Sequence, residues 1–192
     1  MKLRLAPAVA LLAAGSLALA QGSPRGTTSV DIGGKKVSID YGRPALKGRS
    51  LDDLTKQLPT DRMWRAGDNQ VTTLTTETAL NIGGKTIPPG KYSLYVYAPA
   101  TGDWALAINS DQGIALGKIY DKASEAMKNE PWPHLEGYSN VLAKEVARAP
   151  MKSGTGAAAD LFTMTLAPAP EGATLTLAWG DRTWSVGMKA AK

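Results

Sequence analysis

The residues best equipped for chemistry lie in two turns, each at the end of a strand-like run. Met63-Trp64-Arg65-Ala66-Gly67-Asp68-Asn69-Gln70-Val71-Thr72-Thr73 sets an indole beside a guanidinium, adds a Gly-Asp-Asn turn, and returns to strand-forming Thr and Val. Asp40-Tyr41-Gly42-Arg43-Pro44 is a second such place, a strand giving way to an arginine-bearing turn, with Lys47 and Arg49 close behind. Arginine presents N–H donors in a rigid fork that matches a carboxylate, a phosphate or a sulfated sugar. If the two connections meet at one end of the fold, the forks of Arg43, Arg49 and Arg65 converge there. The competing use is more ordinary: Arg43 and Arg65 pair with Asp40, Asp68 or backbone carbonyls and fix the turns.

Other chemistries have less to work with. His134 is the only histidine, it stands beside Pro131-Trp132-Pro133 in the least regular part of the chain, and no Gly-x-Ser-x-Gly elbow accompanies it. A lone loop histidine reads first as structural or exposed, although it is the one side chain whose ordinary titration falls near neutrality. Asp52-Asp53 reads as the first turn of a helix, where acids suit the dipole. With no cysteine and one histidine the chain lacks the ligands zinc requires. Asn109-x-Asp111-x-Gly113 begins like an oxygen-ligand loop, but Tyr120 stands where a calcium loop needs its bidentate Glu. A hydrogen-bonded turn is the better reading. No catalytic, cofactor-binding or metal-ligating residue is assigned.

Aromatic residues with a polar handle suit stacking on sugar rings, and the chain has five Trp and six Tyr against one Phe. Trp104, Trp179 and Trp184 fall in register with core-facing Leu, Ile and Val. Trp64 and Trp132 are freer, and prolines on both sides of Trp132 would hold it at the surface.

The elements that must position these residues are short strands. Thr28, Val30 and Ile32 alternate before Gly33-Gly34, and Val37, Ile39 and Tyr41 alternate after it, which is a hairpin. Ser50 to Leu58 forms a short helix capped by Ser50, with Leu51, Leu54 and Leu58 on one face closing an end of the core. Strand signals run from Trp64 through Thr78, and Leu80-Asn81-Ile82-Gly83-Gly84-Lys85 echoes the first hairpin. After the Pro88-Pro89-Gly90 turn, Lys91 to Ala98 is a strand with Tyr92, Leu94 and Val96 on one face and Tyr95 and Tyr97 on the other. Trp104, Leu106 and Ile108 follow in its hairpin partner. Tyr120 to Lys128 has helical composition, and Ser139 to Ala149 reads either as a helix, which propensity favours, or as a strand. Gly154 to Ala159 reads as a small-residue loop. Phe162 to Leu166, Leu175 to Trp179 and Trp184 to Met188 alternate again, separated by turns at Pro168 to Gly172 and Gly180-Asp181-Arg182. Many short alternating strands joined by Gly/Pro turns predict an all-β fold, an antiparallel β-sandwich or partly open barrel with one or two short helices.

Met1-Lys2-Leu3-Arg4, an uncharged apolar run and Ala18-Leu19-Ala20 have the form of a secretory signal peptide cleaved near Ala20. Residues 21–192 are then expected to be one exported domain, periplasmic or secreted, with no membrane span. Loss of Lys2 and Arg4 takes Lys+Arg from 22 to 20 against Asp+Glu 17, a net charge of +3. That excess is spread along the chain and forms no basic stripe, which argues against nucleic acid as a partner.

Several linked motifs, in order, resemble one family. Ser23-Pro24-Arg25, Asp40-Tyr41-Gly42-Arg43-Pro44 with Lys47-Gly48-Arg49, Trp64 to Thr73, Pro88-Pro89-Gly90-Lys91-Tyr92-Ser93-Leu94 and the Trp104 strand together look like the bacterial secreted family called domain of unknown function 2911. The resemblance covers residues 23 to 109 most closely and the strands of 161 to 188 more loosely. It implies export and a compact, mostly β domain, and it tips Val141 to Ala149 toward strand. The sequence departs from the family pattern at Asp68, where a small residue is commoner, and from Gly113 to Tyr138. The expectation is an exported, non-enzymatic binding or envelope-associated module, with Arg43, Trp64, Arg65 and Asn69 contacting an anionic or carbohydrate ligand. The alternative is a hydrolase or lyase acting on an envelope substrate through His134 or an Asp as base. A third possibility is a partner protein that docks through a sheet edge.

Overall fold

The computed structural model describes residues 23–134 and 136–191, so the predicted signal peptide lies outside the described residues. β1 (Arg25–Ile32) and β2 (Lys35–Gly42) form the first hairpin, and its turn residues Gly33 and Gly34 both take positive φ, 60° and 75°. A side chain would strain that turn, which is why Gly-Gly marks it. α1 (Leu51–Lys56) follows, its N-cap Ser50 accepting the Asp53 N–H at 3.0 Å and donating to the Asp53 carboxylate at 2.6 Å. Next come β3 (Met63–Trp64), β4 (Thr73–Thr76), the second Gly-Gly hairpin of β5 (Leu80–Ile82) and β6 (Lys85–Ile87), β7 (Gly90–Tyr97) and β8 (Ala105–Asn109). β9 (Ile114–Ala115) and β10 (Pro131–Trp132) pair with each other in a separate two-stranded sheet, and β11 (Glu145–Pro150), β12 (Lys152–Ala169) and β13 (Gly172–Ala190) follow.

All pairing is antiparallel. The larger sheet runs β1-β2-β4-β7-β8-β11, with β3 beside the far end of β7, and the smaller runs β12-β13-β5-β6. The molecule is an all-β sandwich, and no sheet closes into a barrel among the described residues. Alternation explains the interface. Ile39, Leu74, Leu94, Leu106 and Ile108 of the larger sheet and Phe162, Leu175 and Leu177 of the smaller are fully buried in one cluster. Each such side chain contributes about 1.5–3 kcal/mol relative to exposure. A smaller cluster of Met63, Tyr95, Ala107, Tyr138 and Val141 lies apart from it, where the 110–144 connection packs against residues of β3, β7 and β8. The larger sheet is therefore covered on both faces there, so Ser93 to Val96 are buried without a break.

The structure corrects four readings. The strand expected from Trp64 to Thr78 is interrupted at residues 65–72 by a turn in which Ala66 and Asn69 take left-handed φ, 51° and 61°. Tyr120 to Lys128 is a chain of tight turns, not a helix: the amides of Tyr120, Ala123, Met127 and Lys128 reach back to the Leu116, Tyr120 and Ser124 carbonyls without the continuous ladder of a helix. Val141 to Ala149 divides into a 3-10 turn at Leu142–Lys144 and strand β11, so the strand reading holds from Glu145 onward. Gly154 to Ala159 and Gly180 to Arg182 are not loops but the interiors of β12 and β13. They pair with one another, with register shifts between Thr155 and Ala159 and again before Thr163. Their small residues carry no alternation to read; pairing, not propensity, makes them strand.

Candidate functional site

The two arginine-bearing turns do meet. A Cβ added to Gly42 would fall inside contact distance of the Asp68 carbonyl oxygen, and one added to Gly67 would lie 2.7 Å from Thr72 Oγ1. At Gly42 the close contact is backbone on backbone; at Gly67 it is the Thr72 hydroxyl first and the Gly42 carbonyl oxygen, at 3.1 Å, second. Thr72 Oγ1 donates to the Ala66 carbonyl at 2.9 Å, Asp68 Oδ1 accepts the Asn69 N–H at 2.8 Å, and Ser23 Oγ donates to Asp68 Oδ2 at 2.6 Å. This turn joins β3 to β4. By strand alternation Trp64 faces the inter-sheet core, stacking on Trp179 at 5.3 Å and 16° and meeting the Phe162 ring at 4.8 Å, while Met63 joins the cluster on the outer face.

Beside β3 lies a cleft of about 240 Å³ whose walls include Asp61, Trp64, Arg65, Tyr95, His134 and Tyr138. Tyr95 and Tyr138 meet edge to face at 4.7 Å. Burial raises the pKa of both phenols; a hydrogen bond to the Glu145 carboxylate (2.5 Å) raises Tyr138 further, while Ser93 and, to a lesser degree, Arg65 work against the rise at Tyr95. Both hydroxyls are thus neutral hydrogen-bonding groups across the physiological range. Arg148 holds Glu145 with two N–H groups, at 2.9 and 2.6 Å.

Next to the cleft is an acid–imidazole pair. His134 Nε2 lies 3.1 Å from Asp111 Oδ1, with the histidine side chain 27% exposed and the aspartate 8%. Burial pushes the Asp111 carboxyl up, but hydrogen bonds from Lys144 Nζ (2.7 Å) and the Gly113 N–H (2.8 Å) and the nearby positive charges outweigh it, so its pKa lies below the ordinary value. An ionised carboxylate accepts only, so Nε2 carries a proton and, when the ring is neutral, Nδ1 has the lone pair. Asp111 N–H donates to Asn109 Oδ1 and Gly113 N–H to Asp111 Oδ1, so the Asn109-x-Asp111-x-Gly113 run is a hydrogen-bonded turn. Among the described residues no cluster of metal-ligating side chains occurs.

Of the four residues proposed from sequence, two line this cleft. Arg43 turns away, its Nε donating to the Phe162 carbonyl at 3.2 Å and its NH2 to Thr163 Oγ1 at 3.3 Å, which ties β2 to β12. Asn69 lies outside the cleft walls and supplies a left-handed backbone position. Arg49 folds back on the Ala45 and Leu46 carbonyls. The connections converge, but their guanidinium groups diverge. Trp132, expected at the surface, is partly buried, and its indole N–H has no partner among the described residues. Sequence reasoning missed the joining of Asp111 to His134 and the contribution of Tyr138. The available signals were the single histidine and the outward register of Tyr95; nothing in the chain links positions 111 and 134.

Fold and cleft together define an antiparallel β-sandwich bearing an aromatic-walled, polar-tipped recess beside its larger sheet. Over residues 23–188 the chain matches the family described as protein of unknown function (DUF2911), and it belongs to that family. No curated protein and no solved structure matches the chain.

Proposed function

We propose that the chain is an exported, non-enzymatic binding module whose cleft beside β3 holds a small anion: a carboxylate, a phosphate or an acidic sugar. The state of Arg65 carries the reading. Arg25 is committed to Asp40 and Gln70, Arg43 to β12, Arg49 to its own turn, and Arg62 to the Thr55 and Ala98 carbonyls. Arg65 lines the cleft, is 41% exposed, and makes one side-chain hydrogen bond among the described residues, 3.3 Å to Asp68. A guanidinium with open donors in a concave aromatic site is suited to receive an anion. Export rests on the form of the first residues.

The test is a thermal-shift titration with phosphate, acetate, glucuronate and a sulfated sugar, run on wild type, Arg65→Ala and Arg43→Ala. A ligand at a hundred times its Kd stabilises by about 2.7 kcal/mol. The shift is expected in wild type and Arg43→Ala and lost in Arg65→Ala. Absence of any shift in wild type, or one that survives in Arg65→Ala, sinks the reading.

The Asp111–His134 contact favours a second reading, a hydrolase or lyase acting on an envelope substrate with His134 as base. Asp111 would hold the tautomer and Nδ1 would take the proton, the usual division of labour in such pairs. Turnover of an ester, amide or glycoside panel that disappears in His134→Ala supports it. Wild-type rates no higher than those of His134→Ala rule it out.

A further inference from the structure

A second cavity shares Trp64 with the first. It has a volume of about 150 Å³, opens to solvent, and is walled by Leu51, Leu54, Leu58, Trp64, Trp104 and Trp179. Two of its polar groups are already used: the Thr55 hydroxyl donates to the Asp52 carbonyl at 2.9 Å and the Trp179 indole N–H to the Asp160 carbonyl at 3.1 Å. The space is also propped open. Arg62 bridges the Thr55 carbonyl (2.7 Å) and the Ala98 carbonyl (2.9 Å), so α1 is tied to the end of the β7 strand at a set spacing. Leu58 and Trp64 are walls of this cavity and of the Arg65 cleft alike.

An apolar cavity of roughly this size admits a six-carbon ring. We propose that the anion bound at Arg65 is amphiphilic, a carboxylate with an apolar tail that crosses Leu58 and Trp64 and places about six carbons in the α1 cavity. The inference rests on the anion reading of the Arg65 cleft. Charge at one end and walls of leucine and tryptophan at the other select an acid with a short aliphatic or aromatic tail over a sugar acid, which has nothing apolar to place against them.

The experiment is calorimetric and thermal-shift titration of the straight-chain acids from acetate to decanoate, with inorganic phosphate and 1-octanol as controls. Wild type, Arg65→Ala and Leu54→Trp are compared. In wild type, affinity rises by up to about fourfold per methylene and levels off once the cavity is full. Leu54→Trp, which fills the cavity from α1, binds phosphate like wild type but loses the dependence on chain length. Phosphate and acetate binding with no gain along the wild-type series overturns the tail site and leaves the anion site standing. Octanol binding as tightly as octanoate, or a chain-length gain that persists in Arg65→Ala, overturns the linkage of the two. Binding of neither acids nor phosphate overturns both readings. If Leu54→Trp fails to fold, the wild-type series decides, because a gain that never levels off marks nonspecific adsorption and overturns the proposal.

Discussion

Arg43 and Arg65 leave turns that touch, yet one guanidinium reaches two acceptors on a neighbouring strand and the other a single carboxylate at 3.3 Å. The first is a brace. Arg43→Ala leaves the Phe162 carbonyl and Thr163 without their donor, and urea denaturation is expected to show a loss of about 1–3 kcal/mol. Arg65→Ala should stay within about 0.5 kcal/mol of wild type, as surface substitutions do. Asp111 supplies the pH dependence. Its folded-state pKa lies below the ordinary 3.8, so its contribution to stability is fully present above that unfolded value. The contribution is lost as the pH falls through the folded value. Melting temperatures followed downward from neutrality should therefore fall on the acid side of about pH 4, and Asp111→Asn should lack that part of the decline. An acid limb unchanged in Asp111→Asn would mean that the contacts to Lys144 and His134 contribute nothing to stability.

The packing of one turn on another is the least forgiving feature at the level of elements. Gly42→Ala drives a methyl into the backbone of Asp68, which no rotamer change relieves. Its cost is expected at the top of the roughly 1–3 kcal/mol range for overpacking or beyond, whereas Gly34→Ala, with open space around it, meets only the strain of positive φ. Comparing the two by chemical denaturation separates contact from conformation, and equal losses would remove the clash as the cause. What could be read from sequence follows the same division. The Gly-Gly hairpins and the Ser50 cap are local devices, each complete within a few residues, so residue types alone identify them. Arg65 and Trp64 could be singled out as unusual for the same reason. The cleft could not, because Tyr95, Tyr138 and the Asp111–His134 pair come from separate connections that only the folded sheet brings together. Arg43 misled because its acceptors lie 119 and 120 residues away.

The whole molecule is asymmetric in how firmly its smaller sheet is held. The second half of β12 is overlain: the Leu46 N–H donates to the Asp160 carbonyl, the Phe162 N–H to the Pro44 carbonyl, and the Leu166 N–H to Thr28 Oγ1, each at 2.9 Å. The first half has no such cover among the described residues. Residues 152–158 are all exposed, they sit on the edge of the smaller sheet, and pairing with β13 loses register after Thr155 and again between Ala159 and Thr163. Glycine and alanine bury little there, which is also why the segment reads as a loop. Bulges and the charge of Lys152 are devices that keep such an edge from recruiting another strand. Local opening draws on regions with few buried apolar contacts, so native-state hydrogen exchange should divide this one strand. Amides of 154–159 are expected to exchange orders of magnitude faster than those of Phe162, Leu175 and Leu177, which should open only with global unfolding. Uniform protection along Lys152–Ala169 would show instead that the exposed half is held as tightly as the core, and that something beyond its own pairing covers that edge.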